Sequence, residues 1–421
     1  MATRVDTLEP LPTPEPERPA ERRLSPREWA RKNLFSSWFN TLLTLAFGAL
    51  LAWALFRAAQ FVFVDARWEV IERNMTNLMV SRFPRDELWR VWGALFVLAA
   101  SLGLGAGAAA SLRRAEVEEG RAPPPAARYE AVRRSAPLIV LIVVLLVFAG
   151  SVEATVLTAG VATVAVVFRL AGARIPRRYV RWVALAVFVG IVVAFAIIVG
   201  FGGVGWSEWG GLMLTVFLAV GGILLSFPLG VLLALGRRST FPAVRLVCVT
   251  YIELIRGVPL IALLFMAAFM LGFFLPPGVG RPDEVSRALI AFVLFTAAYV
   301  AEIVRGGLQA VPRGQVEAAQ ALGLSPLRTT RLIVLPQALR AVIPGLVGQF
   351  ISLFKDTSLV FIIGLSDLLT VAETITKQPD FLAQGLIFET LVFVSFVYWS
   401  GSYWMSRESQ RLERRLGLGE R

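Results

Sequence analysis

Apolar runs of bilayer length, one after another, constrain this chain more than any other feature. A helix needs about 20 mostly apolar residues to cross the hydrocarbon of a membrane, because it rises only about 1.5 Å per residue. Runs of this kind fall at residues 39–64, 89–111, 182–203, 211–235, 247–275, 286–307, 340–364 and 386–406. The stretch 136–169 is too long for one crossing and divides near Glu153 into 136–152 and 155–169. Of the 421 residues, 56% are hydrophobic and 17% charged. A soluble domain has roughly 45–50% and about 25%, so too little polar chain remains to coat these segments in water. The sequence predicts an all-α polytopic membrane protein of about ten spans.

The division at Glu153 follows from charge. The loop 112–134 carries Arg113, Arg114, Arg121, Arg128, Arg133 and Arg134, and the loop 169–181 carries Arg169, Arg174, Arg177, Arg178 and Arg181. Basic loops stay on the cytoplasmic side, so an even number of crossings must separate them. Alternation then puts 236–245, with Arg237, Arg238 and Arg245, inside, together with 308–339 and both termini. The loops 65–88, 276–285 and 365–385 fall outside. Residues 1–36, rich in Pro, Glu and Arg, predict a disordered cytosolic tail. An N-terminal membrane region, 37–204, follows; a second, 205–410, completes the spans, and 411–421 is a cytosolic C-terminal tail.

The net charge of +12 is almost all arginine and is accounted for by these loops; no basic patch interleaved with stacking aromatics points to nucleic acid. Cys248 is the only cysteine and there is no histidine, which excludes disulfide frameworks and zinc sites built on Cys and His. Of the lysines Lys32, Lys355 and Lys377, none lies in a G-x-x-x-x-G-K-[ST] loop. This chain has no phosphate-binding loop of its own, so any use of ATP requires another subunit.

One polar stretch lies between membrane segments, "EAAQALGLSPLRTTRLIVLP" at 317–336. Pro312 suits a first helical turn and residues 315–322 are good helix formers. Gly323 sits where a helix stop favours a left-handed residue. Ser325 and Pro326 suit an N-cap and first position of a second helix, predicted over 327–335 and ending at Pro336. Ala318, Ala319 and Ala321 give the first helix a low-bulk surface.

The spacing E-A-A-x-x-x-G-x9-I-x-L-P, here Glu317, Ala318, Ala319, Gly323, Ile333, Leu335 and Pro336, resembles the cytoplasmic EAA loop of ABC-importer permeases. The segments 210–239, 251–265 ("YIELIRGVPLIALLF"), 297–325 and 352–360 ("SLFKDTSLV") resemble the polar amino-acid class of that family. The N-terminal part, with "NLFSSWFNTLLT", resembles the larger permease subunit of general L-amino-acid transporters. The resemblance implies a type I ABC importer permease core over 205–410, with additional transmembrane helices ahead of it. It also implies the partners: a second homologous permease, an ABC ATPase dimer that binds ATP and Mg, and a periplasmic or extracellular amino-acid-binding protein. The location it implies is a bacterial inner membrane. Glu317, Ala318, Ala319, Gly323 and Pro336 would couple the chain to the ATPase, and no cofactor or catalytic residue is expected in this chain.

Lys355 and Asp356 lie inside the run 340–364, where ionisable groups cost about 2.5–3.5 kcal/mol each and normally face protein or water. Adjacent on a helix, they point about 100° apart. They either line an amino-acid path or tie two permeases together. Glu253 with Arg256, and Glu302 with Arg305, have i, i+3 spacing for ion pairs, and "RGVP" at 256–259 marks a bend. The glycines 202, 203, 205, 210, 211, 221 and 222 predict close helix packing. A secondary transporter or channel without ATP coupling is the competing reading; it would need no EAA loop.

Overall fold

The computed structural model describes residues 25–120, 128–200, 202–276 and 280–416. Among these residues the chain is helical, apart from turns and one isolated bridge between Gly211 and Asp367. It divides into two units, residues 1–66 and 67–421.

In the first unit, α1 (Pro26–Asn33) is a short helix where a disordered tail was expected. Its cause is local: Ser25 and Glu28 form a reciprocal capping box, and Pro26 occupies the first turn. The rest of the expected tail, residues 1–24, lies outside the described residues. Ser37 then caps α2 (Trp38–Gln60), which passes into a π-helical turn at Phe61–Asp65.

The second unit begins with α3 (Glu69–Val80), in what was read as an external loop. Its buried Val70, Ile71, Asn74, Met75 and Leu78 recur with helical spacing. There follow α4 (Leu88–Glu118), α5 (Arg128–Val147), α6 (Val152–Gly172) and α7 (Val180–Val199). The chain does break between α5 and α6, at a turn containing Gly150. Then come α8 (Gly211–Arg237), α9 (Pro242–Gly257), α10 (Leu260–Phe265), α11 (Leu271–Phe274) and α12 (Glu284–Ala310). The last are α13 (Arg313–Ala321), α14 (Pro326–Thr329), α15 (Leu335–Asp356), α16 (Leu368–Ile375) and α17 (Ile387–Arg415).

Among the described residues seven helices are long and apolar enough to cross a membrane, or eight if a bent pair counts as one span. The bent pair, Pro242–Gly257 with Leu260–Phe274, turns by 108° at the expected RGVP bend, so the run 247–275 is no straight span. Pro259 lacks the N–H and clashes with the preceding turn, which explains the break. Two further segments expected as spans, 136–152 and 386–406, are helical but fall outside this set. In α17, Glu389 and the polar Tyr398, Ser400 and Ser402 dilute the apolar run.

Helix α12 is central: half of its apolar window is buried, the largest share of any span. It lies between α8 and α15 because small residues let the backbones approach. On α8, Gly222, Ser226, Gly230 and Ala234 recur every four residues and are all buried. A Cβ on Gly230 would lie 2.5 Å from Val300 Cγ1 and 2.9 Å from the Ala297 carbonyl oxygen. Opposite them, Ala297, Ala298 and Ala301 are fully buried on α12. The predicted packing role holds at Gly210, Gly211, Gly221 and Gly222, each facing a close neighbour. It fails at Gly202, Gly203 and Gly205, which sit in the connection before α8; Gly203 meets only the carbonyls of Ile198 and Gly200 in the turn before it.

The end of the bundle that leads into α13 is braced by charge. Arg237 of α8 reaches Glu253 of α9 at 2.9 Å and Glu302 of α12 at 3.4 Å. Arg305 meets Glu302 at 2.5 Å, as its spacing predicted. The expected pair of Glu253 with Arg256 does not form: Arg256 turns instead to Glu302, at 3.8 Å, and over the Tyr299 ring. Glu302 faces three guanidinium groups at once, so one carboxylate ties three helices together.

Two predictions follow from this packing. Gly230→Ala should destabilise the isolated chain by about 1–3 kcal/mol. Gly348→Ala, where an added Cβ meets nothing within 4 Å, should leave it unchanged or slightly stabler. Glu302→Gln should lower stability by about 1.5–3 kcal/mol, whereas Glu253→Gln, whose side chain is more than half exposed, should cost under about 1 kcal/mol. Thermal unfolding in neutral detergent measures all four.

Candidate functional site: the polar loop 313–336

The site is built by a helix stop. Helix α13 starts after Pro312, which occupies the N-cap position instead of the first turn. It ends where Gly323 adopts φ 77°, the left-handed conformation its position predicted. The Leu324 N–H donates to the Ala319 carbonyl at 3.1 Å and the Gly323 N–H to the Gln320 carbonyl at 2.9 Å. These are the two bonds of a Schellman stop, which satisfy the last carbonyls of the helix and fix the direction of the exit.

Ser325 then takes the extended N-cap conformation, with Pro326 in the first turn of α14. Its side chain makes no capping bond; the Ser325 backbone carbonyl accepts from the Thr329 N–H at 2.8 Å instead. The second helix does not stop at Pro336. A π-helical turn, Thr330–Val334, carries the chain into α15, and Pro336 sits in the first turn of that helix. The physical reason is the proline itself. It cannot donate to a carbonyl four residues back and crowds it, and the wider π turn relieves the conflict by closing from the Leu335 N–H to the Thr330 carbonyl. Pro326–Ile363 is thereby one continuous helical element of 38 residues.

The candidate coupling residues do not share one environment. Glu317, Ala318, Gly323 and Pro336 are exposed, while Ala319 is buried, turned toward the chain's own core. Leu322 and Leu327, on either side of the turn, are 83% and 78% exposed. The sequence reading passed over these two leucines, although an apolar residue on each flank of a Gly–Pro turn is a visible signal. Behind the knob, Val311 and Val316 pack against the cluster of Val304, Leu308, Val334 and Ala338, which roots it on α12 and α15.

Lys355 and Asp356 are the last two residues of α15. Lys355 is exposed and Asp356 partly buried, and the two make no ion pair with each other among the described residues. The helical path tightens just after them into a 3-10 stretch, Thr357–Ile363, which Gly364 ends in the left-handed conformation.

At the opposite end of α8 from the loop lies a buried polar node that the sequence reading missed. The Asp367 carboxylate, inaccessible to solvent, caps α16 by accepting from the Leu369 and Thr370 N–H groups, each at 3.1 Å. Burial pushes its carboxyl above the usual range, against the hydrogen bonds from Thr370 and Leu369. The Leu368 N–H donates to Thr215 Oγ1 at 3.2 Å, linking α16 to α8. Nearby, Gln378 Nε2 donates to Asn74 Oδ1 at 3.0 Å and the Arg67 N–H to Glu389 Oε1 at 3.2 Å. The sequence signal was there in "SDLLT", an Asp ahead of an apolar helical run. Asp283 caps α12 in the same way. Burial opposes its charge, yet hydrogen bonds from Ser286 and Trp206 hold its carboxyl below the usual range.

Comparison with known proteins agrees with this architecture. Residues 226–416 match the family described as binding-protein-dependent transport system inner membrane component. The inner membrane amino-acid ABC transporter permease protein YhdY of Escherichia coli is 37% identical, over 96% of this chain and 97% of its own length. The glutamate/glutamine/aspartate/asparagine transport system permease protein BztC of Rhodobacter capsulatus is 35% identical, over 98% of this chain and 97% of its own. The general L-amino acid transport system permease protein AapQ of Rhizobium johnstonii is 40% identical, over 41% of this chain and 44% of its own. A multi-span helical protein with full-length likeness of this degree belongs to the amino-acid ABC transporter permeases of the inner membrane.

Proposed function

We propose that this chain is a permease subunit of an ATP-driven amino-acid importer, coupled to a separate ATPase through residues 313–336. The observation that carries the reading is the shape of that loop. Its two helices meet at a Schellman stop and expose Glu317, Ala318, Gly323, Leu322 and Leu327, and the second runs without a break into α15. An exposed apolar pair on a fixed turn suits insertion into a groove of a partner protein, and a continuous helix suits transmission of the partner's movement.

In this reading the loop and both termini face the cytoplasm. A second homologous permease completes the translocation path, an ABC ATPase dimer binds ATP and Mg below, and a periplasmic or extracellular amino-acid-binding protein delivers substrate above. Amino acids are the substrate class, in line with the names of the relatives YhdY, BztC and AapQ. Closure of the ATPases around ATP shifts the permeases only by as much as it favours one arrangement over the other. Within the loop, Glu317, Ala318 and Gly323 touch the ATPase, Ala319 seats α13 on its own bundle, and Pro336 sets the π turn that joins loop to span.

Reconstitution of the chain with its ATPase, second permease and binding protein tests this directly: amino-acid uptake should require ATP. Uptake driven by an ion gradient in the absence of the ATPase would instead establish a secondary transporter. Gly323→Asp imposes a strained backbone of about 1–2 kcal/mol and a charge on the turn. ATP-driven uptake should fall about tenfold or more while the protein still reaches the membrane; normal uptake would remove the loop from the coupling. Lys355→Met separates two roles for that side chain. A raised KM with an intact complex places it on the amino-acid path, and loss of the second permease on purification places it at the interface.

A further inference from the structure

A cavity of about 390 Å³ opens at the braced end of the bundle, where α8 ends, α9 begins and α12 ends. Its lining is Arg237, Arg238, Arg245, Val249, Arg305 and Gln309. Four of these six residues are arginines, and no carboxylate is among them.

The positive charge is in surplus. Around the cavity, Arg237, Arg256 and Arg305 share Glu302 and Glu253. Arg238 uses one nitrogen on the Leu308 carbonyl, at 3.3 Å, which is a neutral acceptor. The exposed Arg245 guanidinium has no partner among the described residues. Five guanidinium groups against two carboxylates leave three positive charges uncompensated. An oxyanion with several acceptor oxygens matches them, because planar guanidinium groups bond phosphate in pairs.

The rim says which oxyanion. Next to the cavity-lining Arg245, Phe241 just ahead of α9 and Leu246 on it are exposed by 71% and 67%, and Val249 lines the cavity itself. A free anion makes no use of such a surface, whereas a phospholipid places its headgroup among the arginines and its chains along the apolar face. Basic pockets between spans at a membrane surface bind anionic headgroups for this reason.

We propose that this cavity binds the phosphate of an anionic phospholipid headgroup, held by Arg238 and Arg245 beside the Arg237–Glu302–Arg305 brace. A lipid bound there neutralises the surplus charge and fills the gap between α8, α9 and α12 just before the chain enters α13. Neither the direction of transport nor its energy source enters the inference, so it stands or falls apart from the coupling role of the loop.

The test uses the full-length chain, purified in neutral detergent and titrated with phosphatidylglycerol, phosphatidylcholine or inorganic phosphate. Native mass spectrometry reads retained lipid and thermal unfolding reads stability. The expected result is a phosphatidylglycerol adduct that raises the unfolding midpoint, with phosphatidylcholine bound about tenfold or more weaker. Arg245→Gln, on an exposed side chain without a partner among the described residues, should weaken the adduct with the fold intact, and Arg238→Gln with Arg245→Gln should weaken it about tenfold or more. Arg245→Lys should restore part of the affinity. Equal binding of the two lipids, or an unchanged adduct in the double variant, would overturn the proposal. So would the full midpoint shift with inorganic phosphate alone, which would make the occupant a free anion. No adduct at saturating phosphatidylglycerol would leave the cavity to a protein carboxylate and overturn it as well.

Discussion

Water does not reach the hydrocarbon of a bilayer, so every backbone N–H and C=O placed there must find its partner within the protein. The architecture follows from that constraint. It makes the chain helical and keeps departures from the α-helix short. Among the described residues three π-helical turns occur, at Phe61–Asp65, Met266–Met270 and Thr330–Val334. The last lies immediately before Pro336, where an ordinary turn would lose a bond and crowd a carbonyl. The sharp break at Val258–Pro259 is the alternative response to the same residue type: there the chain bends. Pro336, met by a wide turn, leaves its helix continuous and Pro259 redirects the chain, while Pro228 and Pro344 lie inside α8 and α15 without ending either helix.

Helices that satisfy their own backbones gain nothing from lipid exclusion when they associate, so their contacts rest on close approach and on polar ties. Both are present. The buried four-residue repeat Gly222, Ser226, Gly230 and Ala234 winds around α8, bringing it against Leu353 of α15 at Gly222 and against Ala297 and Val300 of α12 at Gly230. At one end Glu302 and its arginines tie α8 to α12 and α9, and at the other Thr215 ties α8 to α16 beside the Asp367 cap. The small residues set how near the helices lie, and the polar ends fix their register. A bundle of apolar cylinders without those ends would be free to slide.

What could be read from the sequence was what is local or periodic. The long apolar runs marked the helices. Gly323 was recognisable as a left-handed stop, and RGVP as a bend, because each depends on the backbone of one or two residues. Helices α3 and α16 escaped because their runs are too short to span and sit among charged residues, although Val70, Ile71, Met75 and Leu78 carry the helical period. Pairings between helices were not legible. The i, i+3 rule picked out Glu302–Arg305 correctly and Glu253–Arg256 wrongly, since nothing in α9 announces that Arg237, a helix away, will compete for Glu253. The burial of Ala319 was hidden for the same reason: it depends on how α13 is seated on the rest of the chain, as Val316 is on the cluster of Val334 and Ala338.

The unbroken element from Pro326 to Ile363 has a mechanical meaning. Its 38 residues, at about 1.5 Å of rise each, extend over roughly 55 Å. One end is a small turn at the edge of the bundle; the other is the 3-10 stretch that follows Lys355 and Asp356. A rod of that length is a lever of large ratio. Tilting its short end by about 10° sweeps the far end through roughly 10 Å, about the width of another helix. Very little travel at one end of the element therefore corresponds to a displacement of a helix width at the other, as far as the element moves as one body.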